Sequence, residues 1–213
     1  MCLTVLTKRD RAIIKNIERF RVMDRDSIAQ LHFSNLTNPH KSCNNVLLRL
    51  VREGHIQRST HFQPYVYMSV ESQIKKSSQK IQHYLAILET YKEIIKCGVV
   101  EEFVVEPRYG NKGTVEPDIF LKFRGTPFFI EVQRTVYSDK QINEKIDRYI
   151  NLYNENVFEK FPHLLIITDT QYPINTKQPF KIFQSTSFVE FLNSLKPNKA
   201  AVSHPQSKIK IQI

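Results

Sequence analysis

The sequence predicts an α+β chain in two parts: a small helical head closed by a β-hairpin, then a larger body on a mixed α/β sheet. Three observations lead there. Apolar residues recur at helical spacing three times in the head, and two short strand-like runs follow. Charge divides at the same place, because residues 1–80 hold 14 basic and 6 acidic side chains, a net +8 of the +10 carried by all 213 residues. After that the pattern changes to helix, three strands, helix, strand.

In the head, Thr7 is a plausible N-cap for a first helix whose Ile13, Ile14, Ile17 and Phe20 share a face. Asp24 or Asp26 caps a second helix carrying Ile28, Ala29, Leu31 and Phe33. Asn38-Pro39 opens a third, a capping side chain followed by proline at the first helical position, and Gly54 stops it. That helix has an apolar stripe (Cys43, Val46, Leu47, Leu50, Val51) and a polar one (Lys41, Asn45, Arg49, Arg52). His55–Arg58 and Tyr65–Met68 read as strands around a loop containing Pro64. Three helices and a hairpin is the order of a winged helix, whose third helix enters the major groove while the hairpin touches the backbone. On that reading Lys41, Ser42, Asn44, Asn45 and Arg49 contact bases or phosphates, and Arg52 and Arg58 join the DNA-binding set. The competing reading is a protein-docking module with a solvated polar face.

In the body, a long helix runs from Ser77 to about Lys96 with Ile81, Tyr84, Leu85, Leu88, Tyr91, Ile94 and Ile95 at helical spacing, and Gly98 ends it. Strands are expected at Val99–Glu106, Asp118–Phe123 and Pro127–Gln133, the last two joined by the tight turn Arg124-Gly125-Thr126. A charged helix at Asp139–Glu155 points Ile142, Ile146, Tyr149, Ile150 and Tyr153 inward. His163–Asp169 is a continuous apolar strand that must be reached by crossover and be buried on both faces. Ser185–Leu195 reads as a last helix. The expected partition is a head at 1–72, a body at 73–195, and a basic tail at 196–213 with two prolines and four lysines that is expected to be loose.

Several classes are excluded. No apolar run approaches the ~18 residues of a membrane span, and Met1–Lys8 is too short and too soon charged for a secretory signal. Cys2, Cys43 and Cys97 lie far apart without CxxC spacing, which fits a reducing cytoplasm rather than a disulfide or zinc framework. Five glycines leave no phosphate-binding loop, and seven histidines show no zinc spacing.

The pointed feature is Glu116-Pro117-Asp118 followed by Glu131-Val132-Gln133. Alternation along the strand puts Phe129, Glu131 and Gln133 on one face and Ile130 and Val132 on the other. Carboxylates on neighbouring strands can share one divalent cation, and hard oxygen donors suit Mg²⁺. The competing reading is a polar cluster neutralised by Arg108, Arg134 or Arg148. Tyr149 and Tyr153, four apart on their helix, are read as packing.

These residues resemble the PD-(D/E)XK nuclease superfamily, in which a Pro-Asp, a hairpin, an acidic residue, a spacer and a lysine sit in a helix, three-strand, helix, strand core. The likeness covers residues 77–170. It implies Asp118 and Glu131 as ligands of Mg²⁺ or Mn²⁺, with Glu89 or Glu93 as a further acid and Asp118, Glu131 and Gln133 as the catalytic set. Gln133 replaces the usual lysine, and a neutral amide supplies no charge, so Lys145 or Lys140 would have to reach in. Adding the head, and the run Lys145-Ile146-Asp147-Arg148-Tyr149-Ile150-Asn151-Leu152-Tyr153, residues 7–170 are similar to the replication-relaxation family of plasmids and other mobile elements. That resemblance implies a cytoplasmic DNA-binding accessory or regulatory protein in replication, relaxation or transfer, with a degenerate nuclease-like domain. Its alternative is a Mg²⁺-dependent DNA endonuclease or nickase using Asp118 and Glu131. Double-stranded DNA is the expected partner, with a second copy of the chain and plasmid replication or transfer proteins as further candidates, and no membrane.

Overall fold

The structure is a computed structural model that describes residues 5–111, 113–174 and 177–196. Helix α1 (Lys8–Phe20) starts at Thr7, whose hydroxyl accepts the Asp10 N–H while the Asp10 carboxylate accepts the Thr7 N–H. This reciprocal box satisfies two donors that the helix start would otherwise leave open. Ile13, Ile17 and Phe20 form its buried face. Asp24 caps α2 (Arg25–Phe33), and Asn38 caps α3 (Pro39–Arg52). Strands β2 (Ile56–Ser59) and β3 (Val66–Ser69) form the expected hairpin. Their sheet has a third strand absent from the sequence expectation, β1 (Val22–Asp24), which pairs antiparallel with β3. Three residues are too few for an alternation to register, and pairing alone makes this segment a strand.

The body begins with α4 (Lys80–Cys97), three residues later than expected. It continues through β4 (Val100–Val105), β5 (Ile119–Phe123), β6 (Thr126–Val132), α5 (Asp139–Asn154) and β7 (His163–Ile167). Strand β8 (Ile182–Ser185) and helix α6 (Phe188–Ser194) complete it. The five strands lie in the order β4-β5-β6-β7-β8, antiparallel through β6 and parallel from β6 to β8. Arg124 and Gly125 both take positive φ (50° and 71°), as a two-residue hairpin loop of primed type requires. Helix α5 makes the crossover from β6 to β7. Strand β7 is buried on both faces, with Leu164 and Ile166 toward α5 and Leu165 in the core on the opposite face. Strand β8 corrects the expectation of a helix from Ser185. The helix starts only after the Ser187 cap, because residues 182–185 pair with β7 first.

One hydrophobic core runs from the head (Phe20, Met23, Ile28, Leu47) through α4 (Ile81, Leu88, Ile94) to one face of the large sheet. The expected boundary near residue 72 therefore falls in a connection, while the packing is continuous across it. Arg19 of α1 shows how the halves are joined. Its guanidinium lies 4.9–5.2 Å from the rings of Phe20, Tyr91 and Phe103 and donates to the Phe103 carbonyl at 2.9 Å. A second core, on the other face of the sheet, gathers Phe120, Phe129, Ile142, Ile146 and Tyr149 under α5. No helix among the described residues is long and apolar enough to cross a membrane. Apart from Lys196, the expected basic tail lies outside the described residues, as does Cys2.

Candidate functional site

The hairpin sets the geometry of the acid pair. Ile119 pairs with Ile130 and Phe120 with Phe129, so one further step of the same register puts Asp118 opposite Glu131. Phe120 and Phe129 face α5, and the two acids share their parity and thus their side of the sheet. Asp118 stands just before β5, at the sheet's end, where α4 also reaches it. His83 Nε2 is 3.0 Å from Asp118 Oδ1, and the Val132 N–H donates to Oδ2 at 2.8 Å. Glu131 is 1% exposed, and both its oxygens accept from α5: Lys145 Nζ to Oε2 at 2.5 Å and Tyr149 Oη to Oε1 at 2.6 Å.

Helical spacing explains those donors. Ile142, Ile146 and Tyr149 form the buried face of α5, and Lys145 borders it, one turn before Tyr149. Lys145 is only 18% exposed at its side chain and also lies over the Tyr137 ring at 5.7 Å. Of the two lysines considered from sequence, Lys145 reaches the acids. Lys140 stays outside, 3.9 Å from Glu144 on the exposed face of α5.

The electrostatics follow from burial. Loss of solvent pushes Glu131 up to about 8, and the neighbouring Asp118 charge adds to the push, while Lys145 and Tyr149 offset only part of it. For Asp118 burial also acts upward, but the hydrogen bond and charge of His83, with Lys145 and the Val132 N–H, outweigh it and leave this carboxyl below its ordinary value. The Asp118 hydrogen bond in turn raises His83. The two acids thus diverge: Asp118 favours the ionised form and Glu131 retains its proton to higher pH. Such divergence between neighbouring acids is a mark of functional sites, shared with some structural ion-pair networks.

Asp118 opens into a cleft of about 460 Å³ whose walls also include Gln79, His83, Gln133, Arg134 and Lys145, while Glu131 stays buried behind its partners. Gln133 does not engage Glu131. Its Nε2 donates to the Tyr172 hydroxyl at 2.5 Å and to the Thr135 carbonyl at 2.9 Å, and the same hydroxyl accepts the Tyr137 N–H at 3.0 Å. Gln133 therefore pins the loop leading to α5. Glu89 and Glu93 do not border this cleft, and Glu89 pairs instead with Lys92 at 2.5 Å. Arg108 pairs with Glu116 at 3.2 Å, whereas Arg134 and Arg148 are exposed without an acidic partner among the described residues. Two carboxylates from adjacent strands are hard donors of the kind Mg²⁺ or Mn²⁺ takes, but all four of their oxygens are engaged by His83, Val132, Lys145 and Tyr149, and no group of three or more His, Cys, Asp or Glu among the described residues is placed to hold a metal ion. The chain's own groups orient the acids: His83 holds Asp118, Tyr149 fixes Glu131, and Lys145 pairs with Glu131.

In the head, α3 turns Cys43, Leu47 and Leu50 inward. Lys41, Asn45, Leu48 and Arg52 make one exposed stripe at helical spacing, with Leu48 55% exposed. Ser42 and Asn44 are half-buried at its edge. Arg49 is not on that stripe. It bends across to α1, where its Nη2 lies 2.7 Å from Oδ1 of the buried Asp10 and its Nη1 3.3 Å from Glu53. Arg58 stacks on the Tyr65 ring at 4.9 Å in the hairpin.

Sequence reasoning missed three participants. His83 carries no motif, and only the fold brings α4 beside Asp118. Tyr149 reads as packing because its ring is indeed buried; its position four residues after Lys145 was the available signal. Asp10 looks like a cap residue alone, since nothing local announces Arg49. No family model, no curated protein and no solved structure matches this chain.

Proposed function

We propose that this chain is a DNA-binding accessory or regulatory protein of a plasmid or other mobile element, acting in replication, relaxation or transfer. Its head acts as a winged helix that lays α3 in the major groove of duplex DNA, and its body is a nuclease-like domain. One observation carries the reading: the outer stripe of α3 offers Lys41, Asn45 and Arg52 to solvent in a head whose residues 1–72 hold 11 basic and 6 acidic side chains, with no other described element covering them. Lysine and arginine there gain from counterion release, and asparagine can pair with an adenine edge. Lys41→Ala/Arg52→Ala should weaken duplex binding and flatten its salt dependence, by about 0.9 in slope for each phosphate no longer neutralised. An unchanged gel-shift titration across salt concentrations rejects the reading.

A second reading, metal-dependent cleavage of a DNA strand, is favoured by the placement of Lys145 against Glu131 beside Asp118. The lysine missing from the strand is compensated from α5, so the site keeps two acids and a cation. Supercoiled plasmid incubated with Mg²⁺ or Mn²⁺ tests this: nicking should disappear in Glu131→Gln and in Lys145→Met. Nicking that survives both substitutions comes from a contaminant, and an inert parent protein leaves the accessory role.

A further inference from the structure

The acid site is bordered by a second cleft. On the far side of Lys145 and Tyr137, a cavity of about 650 Å³ is walled by Thr114, Glu116, Gln141, Glu144 and Arg148. Tyr137 and Lys145 also line the cleft that holds His83, Asp118 and Arg134. The two clefts share Tyr137 and Lys145, and each is lined by one guanidinium, Arg148 in the larger and Arg134 in the smaller. Arg148 stands one helical turn beyond Lys145 on α5. Arg134 lies three residues past Glu131, no more than about 10 Å along the chain. The nearby acids already have cations, Glu116 with Arg108 and Glu144 with Lys140. Glu131 is matched by Lys145 and Asp118 by His83. Arg134 and Arg148 are thus the exposed cations of these clefts without an acidic partner among the described residues. A guanidinium without an acidic partner in each of two clefts that meet at Lys145 and Tyr137 suits an anion long enough to reach both.

We infer that one DNA strand crosses the two clefts, its backbone phosphates held by Arg134 on one side of Lys145 and by Arg148 on the other. The path brings a phosphodiester past Lys145 and beside Asp118, with Glu131 buried out of reach, and lets the Tyr137 ring meet an unpaired base, since aromatic faces stack on any base. This rests on the reading of the body as a nuclease-like DNA site, but it concerns binding and stands whether or not the strand is cut.

The test uses the full chain carrying Lys41→Ala/Arg52→Ala, so that the head's grip on duplex DNA does not report. A fluorescein-labelled single-stranded oligonucleotide is titrated by anisotropy in EDTA over a series of salt concentrations. Arg134→Ala and Arg148→Ala should each reduce the slope of log K against log[salt] by about 0.7, and the double variant by about 1.4. Arg134→Lys and Arg148→Lys keep the charge and should restore the slope, which a folding defect would not permit. Lys96→Ala, at the exposed end of α4, should leave it unchanged. Parent-like slopes in both single variants, or a loss confined to one of them, overturn the crossing path, as does a parent that binds no single strand. Duplex binding by the unmodified head is read separately, and nicking is not part of the readout, so failure here is distinct from failure of either reading above.

Discussion

Arg49→Ala distinguishes a structural arginine from a DNA-binding one on the same helix. In the folded head its guanidinium lies 2.7 Å from Asp10, whose side chain is 1% exposed, while Arg49 itself keeps 23% of its surface. Removing one partner of a buried pair costs about 3–5 kcal/mol, because the other charge is left uncompensated. The Thr7 N–H still donates to Asp10 at 2.8 Å, which places the expected loss near the lower end, about 3 kcal/mol. With a urea slope of about 2 kcal/mol/M, the midpoint should fall by about 1.5 M. The pH profile gives an independent check. Although burial pushes Asp10 upward, its hydrogen bonds to Arg49 and Thr7 prevail and hold it below 3.8. A depressed carboxyl stabilises the fold above its unfolded value and loses that contribution as pH falls through the folded one, so the parent should weaken below about pH 4. Arg49→Ala should lose much of that acid-side slope. Asp10→Ala/Arg49→Met should recover most of the stability, since exchanging both partners for apolar groups removes the stranded charge. A midpoint shift below about 0.3 M, together with weaker duplex binding, would refute the reasoning and return Arg49 to the DNA-facing set.

Three more outcomes follow from the site and the joint. Glu131, raised from 4.5 to about 8, favours folding fully below 4.5 and loses that contribution as pH rises through about 8; Glu131→Gln should remove this decline, and parallel urea midpoints for the two proteins from pH 5 to 9 would sink the assignment. Tyr149→Phe deletes a buried donor to the same carboxylate and should cost about 1.5–3 kcal/mol, more at pH 9 than at pH 5, because the deleted bond favours the ionised form. Arg19→Ala removes its packing on three rings and a hydrogen bond to Phe103, so about 2–3 kcal/mol should disappear from the urea midpoint; a loss under about 0.5 kcal/mol would mean that head and body are not joined there.

Much of the architecture was legible because it rests on local periodicity. The inward stripe of α3, the β5–β6 hairpin with its tight turn and the doubly buried run 163–167 each need only their own residues and spacing. The misses share a different cause. Strands β1 and β8 span three and four residues and exist because β3 and β7 offer them partners. Gln133 has the alternation of a site residue, yet the Tyr172 hydroxyl, 39 positions away, takes its amide.

The acid pair shows the same division. Alternation along β6 and the short turn before it already put Asp118 and Glu131 on one side of a hairpin, since side-chain direction in a strand follows from backbone geometry. Which cation would meet them, and which acid would hold its proton, was not encoded nearby. Lys145 and Tyr149 come from a crossover helix and His83 from the helix that begins the body; their distances arise only when the sheet is covered on both faces. Burial and partner charges act through space, so the chain order fixed where the carboxylates point while packing decided their chemistry.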